Sequence, residues 1–110
     1  MNLPNPEKAF IAREKIDAYL LSAAHLVGRH KAVFFGSLGY AQDEWQILER
    51  DLREFAGREA QPTIETQYGK KYEVRGTITG PNGRTARIVT AWIVRNGEDF
   101  PRFITAHPED

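Results

Sequence analysis

The chain contains no cysteine, which rules out disulfides and cysteine-ligated metal centres. Small secreted domains often depend on such staples, so their absence points to a reducing compartment. No apolar run approaches the roughly 20 residues that cross a bilayer. The opening Met1-Asn2-Leu3-Pro4-Asn5-Pro6 lacks the basic start and apolar stretch of a signal peptide. These absences lead to the expectation of a cytoplasmic protein with no membrane partner. Neither sign of charge is in excess, with 15 Lys+Arg against 15 Asp+Glu. That balance argues against coating of nucleic acid by bulk electrostatics. It still allows a local basic patch, because a zero total can hide a separated distribution. Repeats, low-complexity tracts, a P-loop and a dinucleotide fingerprint are also missing, and no cofactor is implied. Gly36-Ser37-Leu38-Gly39 is not a nucleophile elbow, which needs Gly-x-Ser-x-Gly after a strand.

What is present fits one domain over residues 1–110, with 41% hydrophobic and 11% aromatic residues to build a core. The pattern changes between Gly57 and Pro62. Before it, apolar residues recur at helical spacing; after it, β-branched and aromatic residues alternate with charges. The expected fold class is α+β: three N-terminal helices (a helical half over about 9–57), then a four-stranded antiparallel β-meander (a sheet half over about 62–107).

Ala12, Ile16, Tyr19, Leu20 and Ala23 recur at three- and four-residue steps, which predicts an amphipathic helix over about 13–22. Ala9 to Ala12 reads as a short strand or the first turn of that helix. A second helix over about 29–37 carries Val33, Phe34 and Leu38 as its stripe, with Phe35 to one side and Gly39 as a left-handed cap. A third, over about 42–56, buries Trp45, Leu48, Leu52 and Phe55 and ends at Gly57. Glu49–Arg53 and Arg50–Glu54 are the i,i+4 pairs on its wet side.

Pro62 to Tyr68 reads as an edge strand. Lys70 to Gly80 and Arg84 to Arg95 are long strands joined at Asn82-Gly83, a strong hairpin signal. A two-residue loop would pair Pro81 with Arg84. Tyr72, Val74, Gly76 and Ile78 would then share the core face with Ile93, Ala91, Val89 and Arg87. The opposite face would carry Lys71, Glu73, Arg75 and Thr77 beside Val94, Trp92, Thr90 and Ile88. Asn96-Gly97 opens a second hairpin into a last strand over about 101–107, whose register the sequence leaves open.

The turn Gly28-Arg29-His30-Lys31 carries the most chemistry. A helix N-terminus already holds about half a positive charge and prefers acids, yet three basic side chains crowd it. A bound anion resolves the conflict, with Gly28, Arg29 and Lys31 cradling a phosphate; side chains reaching into water resolve it equally. His30 is either a packed histidine on the apolar stripe or a general acid/base. His25 approaches it across Gly28, and the two histidines could run acid/base cleavage of RNA with the 2′-OH as nucleophile. They make a poor metal site, with no third ligand at zinc spacing. Arg75, Arg102, Thr105 and Trp92 are candidates for holding a phosphate backbone and stacking a base, while a tryptophan inside a long strand is usually core. Glu98, Asp99, Glu109 and Asp110 read as turn caps or solvent-facing acids.

His25-Leu26-Val27-Gly28-Arg29-His30-Lys31-Ala32, Phe35, Leu38-Gly39, Tyr68-Gly69, Gly80-Pro81, Ala91-Trp92-Ile93-Val94-Arg95 and Gly97-Glu98-Asp99-Phe100-Pro101-Arg102 together resemble a bacterial family of unknown function. In that family the turn commonly reads His-Pro-x-Gly, where this chain has His25-Leu26-Val27-Gly28. Its members occur as standalone proteins and at the C-terminal ends of proteins resembling polymorphic toxins. The order of elements is also similar to the barnase–EndoU–RelE-like ribonuclease fold. Thr105-Ala106-His107-Pro108 resembles the Thr-Ala-Tyr-Pro ending of toxins of that type, with His107 in place of tyrosine. The resemblance implies a toxin-like, metal-independent ribonuclease or RNA-binding domain; it carries over no catalytic residues, so the catalytic candidates His30, His25 and Lys31 rest on the chemistry of the turn itself. The alternative is a non-catalytic interaction module: an antitoxin, an immunity protein or a toxin-associated partner. RNA, a cognate antitoxin or immunity protein, and a second copy of the chain are the partners these readings imply.

Overall fold

A computed structural model describes residues 1–26 and 28–109; Val27 and Asp110 lie outside the described residues. Helix α1 (Arg13–Lys15) runs directly into a π-helical turn (Ile16–Leu20). Helices α2 (Arg29–Ser37) and α3 (Trp45–Phe55) follow. Strands β1 (Gln61–Thr66), β2 (Gly69–Thr79), β3 (Thr85–Arg95) and β4 (Arg102–Pro108) form one antiparallel sheet in the order β1-β2-β3-β4. This is the expected α+β arrangement, helices first. Among the described residues no helix is long and apolar enough to cross a membrane.

The first helical segment is wound more widely than its periodicity suggests. The Leu21 N–H reaches back five residues to the Ile16 carbonyl, at 2.9 Å. The wide turn still buries Ile16 and Leu20 completely, and it carries Tyr19, half-buried, toward the last strand. Helix α3 buries Leu48, Leu52 and Phe55 fully, as expected, while Trp45 at its start is only half-buried against the core. Glu49 pairs with Arg53 outside, but Arg50 turns to Asp51 at 3.2 Å rather than to Glu54.

Helix α2 corrects the expected stripe. Phe35 is its fully buried residue, while Val33 is 74% exposed. The helix is short and the chain doubles back past Leu38, so the Tyr40 N–H meets the Phe35 carbonyl at 3.2 Å. Their rings meet edge-to-face at 6.2 Å. Phe35 and Leu38, three residues apart, therefore face the core. Gly57 is not in the left-handed region; α3 closes with the Ala56 N–H on the Arg53 carbonyl and the Gly57 N–H on the Glu54 carbonyl, each at 3.2 Å.

The β2–β3 register lies one residue from the expected pairing, with Thr79 opposite Thr85 and Tyr72 opposite Trp92. The loop holds three residues, Pro81-Asn82-Gly83. The Gly83 N–H bonds the Gly80 carbonyl at 3.0 Å and the Gly80 N–H bonds the Arg84 carbonyl at 2.8 Å. Gly83 closes the loop at φ +87°, the left-handed turn residue of a three-residue hairpin. Asn82 also docks this loop on the end of α2, through its N–H to Leu38 and its side-chain amide to Ser37.

A one-residue slip exchanges the two faces of a strand. The core face of β3 is therefore Trp92, Thr90, Ile88 and Ala86, while Arg87, Val89, Ala91 and Ile93 lie on the other. Trp92, Ile88 and Thr90 are fully buried. The Thr90 hydroxyl accepts the Trp92 indole N–H at 2.8 Å and donates to the Val74 carbonyl at 3.2 Å, so neither buried polar group is orphaned.

Strand β4 fixes the register that the sequence leaves open. Phe103 faces inward, 5.3 Å from the Trp92 ring. Between the Trp92↔Phe103 and Ala91↔Thr105 pairs, Ile104 is surplus, a β-bulge. Phe10, in the ambiguous Ala9–Ala12 stretch, makes a parallel bridge with Arg102.

Candidate functional site

The π turn, the start of α2 and the bulged strand β4 meet at Lys31. Its ammonium donates to the Tyr19 hydroxyl and to the Thr105 hydroxyl, each at 2.8 Å. It also sits 5.0 Å from the centre of the Tyr19 ring. Each backbone irregularity supplies one of these partners. The wide turn brings Tyr19 round, and the bulge at Ile104 aims Thr105 off the sheet, as bulges beside functional sites do.

Gly28 lets the third element approach. A Cβ on Gly28 would lie 2.2 Å from the Tyr19 carbonyl oxygen, so any side chain there would push α2 away from the π turn. His25 holds the same corner. Its Nδ1 accepts the Gly28 N–H at 3.0 Å, and its carbonyl accepts the Arg29 N–H at 2.9 Å. The His25 ring stands edge-on to Tyr19 at 5.0 Å. Because Nδ1 accepts, the proton of the neutral imidazole sits on Nε2.

The expected phosphate cradle is thereby revised. His25 occupies two of the backbone donors at the start of α2, and the charge that converges on the site is the Lys31 side chain. Burial works to raise the Tyr19 phenol. The hydrogen bonds to Lys31 and Thr105, and then the charges of Lys31 and Lys15, outweigh it and hold the phenol below its ordinary value. Glu14, Lys15, Tyr19, His25, Ile104 and Thr105 line an open groove of about 630 Å³ beside this cluster.

Lys31, Thr105 and His25 thus come together, and Tyr19 joins them. Sequence periodicity assigned Tyr19 to the buried helix stripe. The available signal was Lys15, one turn earlier on the same segment. His30 and Arg29 are exposed at the start of α2 and stand apart from the cluster. His25 and His30 make no ring contact; His25 turns to Tyr19 instead. Trp92 is in the core with no exposed surface, so it is not available to stack a base. Arg75 is held by Glu73 at 3.0 Å and Glu109 at 3.1 Å. Arg102 is chelated by Glu98 at 2.9 and 2.8 Å, between the rings of Phe10 and Phe100. Glu98 and Glu109, read from sequence as caps or solvent-facing acids, are the partners that fix these arginines. Asp110 lies outside the described residues. Among the described residues no three His, Asp or Glu side chains cluster as a metal site would require.

No curated protein matches the chain. Its fold is similar to a chain of the contact-dependent growth inhibition toxin–immunity protein complex from Klebsiella pneumoniae 342. The TM-score is 0.74 at 18% identity, covering 96% of this chain and 97% of that one. At that identity the likeness concerns the fold. The sequence itself matches a family model over residues 2–110, and the chain belongs to the family described as Domain of unknown function (DUF6883).

Proposed function

We propose that this protein is the toxin-like component of a toxin–immunity system and cleaves RNA without a metal at the Lys31 cluster. The observation that carries the reading is the Lys31 ammonium held between the Tyr19 and Thr105 hydroxyls at 2.8 Å each, at the edge of an open groove. A fold shared with a chain of a toxin–immunity complex supports it.

In this reading the 2′-oxygen of a ribose attacks the adjacent phosphorus. Its proton passes to the Tyr19 phenolate, which Lys31 makes accessible. The phosphorus–5′-oxygen bond breaks and the leaving oxygen takes a proton from water in the open groove, with the His25 Nε2–H as a hydrogen-bond donor to it; the Tyr19 phenol then returns its proton to the hydroxide so formed. The products are a 2′,3′-cyclic phosphate and a 5′-hydroxyl. Lys31 stabilises the charge that builds on the non-bridging oxygens, and Thr105 fixes Lys31. Arg29, exposed at the start of α2, is an outer phosphate contact. His30 has no role in the chemistry.

A second reading, a non-catalytic module that docks on a cognate protein, draws on Leu26 and Val33, which are 79% and 74% exposed on either side of the basic turn. The test is incubation of the protein with total RNA in EDTA, beside Lys31→Ala, Tyr19→Phe and His30→Ala variants of verified fold. Cleavage by wild type and His30→Ala but not by the other two is the expected result. Cleavage by all four would remove the site. Cleavage by none, from folded protein, would overturn the nuclease and leave the docking module.

A further inference from the structure

Lys8, Arg13, Arg50, Arg53, Lys70, Arg75, Arg87 and Arg102 each pair with a carboxylate. Among the described residues, Lys15, Arg29, Lys31, Arg58, Lys71, Arg84 and Arg95 make no ion pair; of these, Lys15, Lys71 and Arg95 line two adjoining grooves and Lys31 sits beside the first. Lys15 lines the groove beside the Lys31 cluster. Lys71 and Arg95 line a second groove of about 780 Å³ on the open face of the sheet. Ile104, the bulge residue, lines both grooves and joins them. No acidic side chain lines the second groove. Glu98, which feels the charge of Arg95, has both oxygens taken by Arg102.

An aromatic platform stands over this second groove. Tyr68, in the β1–β2 turn, is 67% exposed, yet its backbone is fixed from both sides. The Tyr68 N–H donates to Thr66 Oγ1 at 3.1 Å. Asn96, from the β3–β4 turn, donates its N–H to the Tyr68 carbonyl at 2.9 Å and its side-chain amide to the Gln67 carbonyl at 2.7 Å. A large exposed ring on a tied backbone loses little freedom on binding. A ring beside unpaired cations is the arrangement that holds single-stranded nucleic acid, the base stacked on the ring and the phosphates on the charges.

Resting on the proposed nuclease reading, we infer that the groove between Tyr68, Lys71 and Arg95 is a subsite for single-stranded RNA. It takes a nucleotide flanking the scissile phosphate, with its base on Tyr68 and its phosphates on Lys71 and Arg95. The occupant is a strand rather than a duplex, because stacking on Tyr68 requires an unpaired base face.

The test is equilibrium binding of a short, fluorescein-labelled, 2′-O-methylated single-stranded oligonucleotide, which binds but is not cleaved. It is run on wild type, Tyr68→Ala, Tyr68→Phe and Lys71→Ala/Arg95→Ala, with total-RNA cleavage measured in parallel. Tyr68→Ala is expected to weaken binding about 5- to 100-fold, and Tyr68→Phe, which keeps the ring, to bind as wild type. The double variant is expected to flatten the salt dependence of log K by about 1.4, at about 0.7 per lost phosphate contact. Binding unchanged by Tyr68→Ala overturns the subsite even where wild type cleaves RNA. Binding lost in Tyr68→Ala from a protein that cleaves nothing leaves the subsite standing and overturns the nuclease. No binding by wild type, or equal loss in Tyr68→Ala and Tyr68→Phe, overturns the subsite.

Discussion

Two tyrosines of this fold meet opposite partners. Tyr40, 5% exposed, donates its hydroxyl to Asp51 at 2.5 Å. Burial, and then the bond and charge of Asp51, push its phenol far above the ordinary value. Tyr19, half-buried, accepts from a lysine, and its phenol is held low. The first phenol is locked as a neutral donor between α3 and the end of α2. The second is prepared to give up its proton at the rim of a groove. The same side chain thus serves as a brace beside a carboxylate and as a candidate base beside an ammonium.

Removing the ammonium should do the most to break this contrast. Lys31→Ala should lower RNA cleavage by about 10²- to 10³-fold, the size of a lost charge-stabilising donor, while moving the urea midpoint little. Tyr40→Phe should do the reverse. It leaves the Asp51 carboxylate without its buried donor and costs about 1.5–3 kcal/mol of stability, read in urea unfolding, with cleavage per folded molecule unchanged.

Alkaline pH sharpens the comparison further. The folded Tyr40 phenol lies above its unfolded value of 10.0. Its contribution to stability is therefore complete below that pH and drains away as pH rises beyond it, because only the unfolded state loses the proton. Tyr19 acts in the opposite sense. Its depressed phenol adds stability as pH rises through the folded value toward 10.0 and beyond. Unfolding of Tyr40→Phe across this range should show less alkaline loss than wild type; an equal loss would refute the assignment. The smallest effect belongs to a paired cation. Arg75→Ala, removed from Glu73 and Glu109, should leave oligonucleotide binding and the urea midpoint as in wild type, since exposed ion pairs contribute little.

The long periodic elements were legible from sequence. The four-three spacing of Leu48, Leu52 and Phe55 marks α3, and the alternation on either side of Asn82-Gly83 marks β2 and β3. What was not legible came from single extra residues. One more residue in the hairpin loop moved Trp92 from the face the two-residue loop gave it into the core, where a tryptophan inside a long strand usually sits, and removed it as a candidate stacking platform. One more residue in β4, Ile104, aims Thr105 at Lys31. One more residue in the turn after α1 brings Tyr19 to the same place. Periodicity averages over several residues and does not register such insertions. Arg75 and Arg102 were misread for another reason. Glu109, which lies 34 residues from Arg75, is brought to it by strand register, and Glu98 reaches Arg102 from four residues away across the turn into β4, a spacing that carries meaning from sequence only inside a helix.

The π turn has a consequence for how the site relates to the scaffold. A π turn is an α turn carrying one surplus residue. Ala18 is exposed in the middle of it, on the groove side and not in the core. With that residue removed, Ile16, Leu20 and Leu21 would stand at the three- and four-residue steps of an ordinary amphipathic helix. The core would keep all three, and only Tyr19 would swing away from Lys31. Scaffold and the Lys31 cluster are therefore separable at one residue: a shortened chain would keep the core spacing and lose the Tyr19 contact.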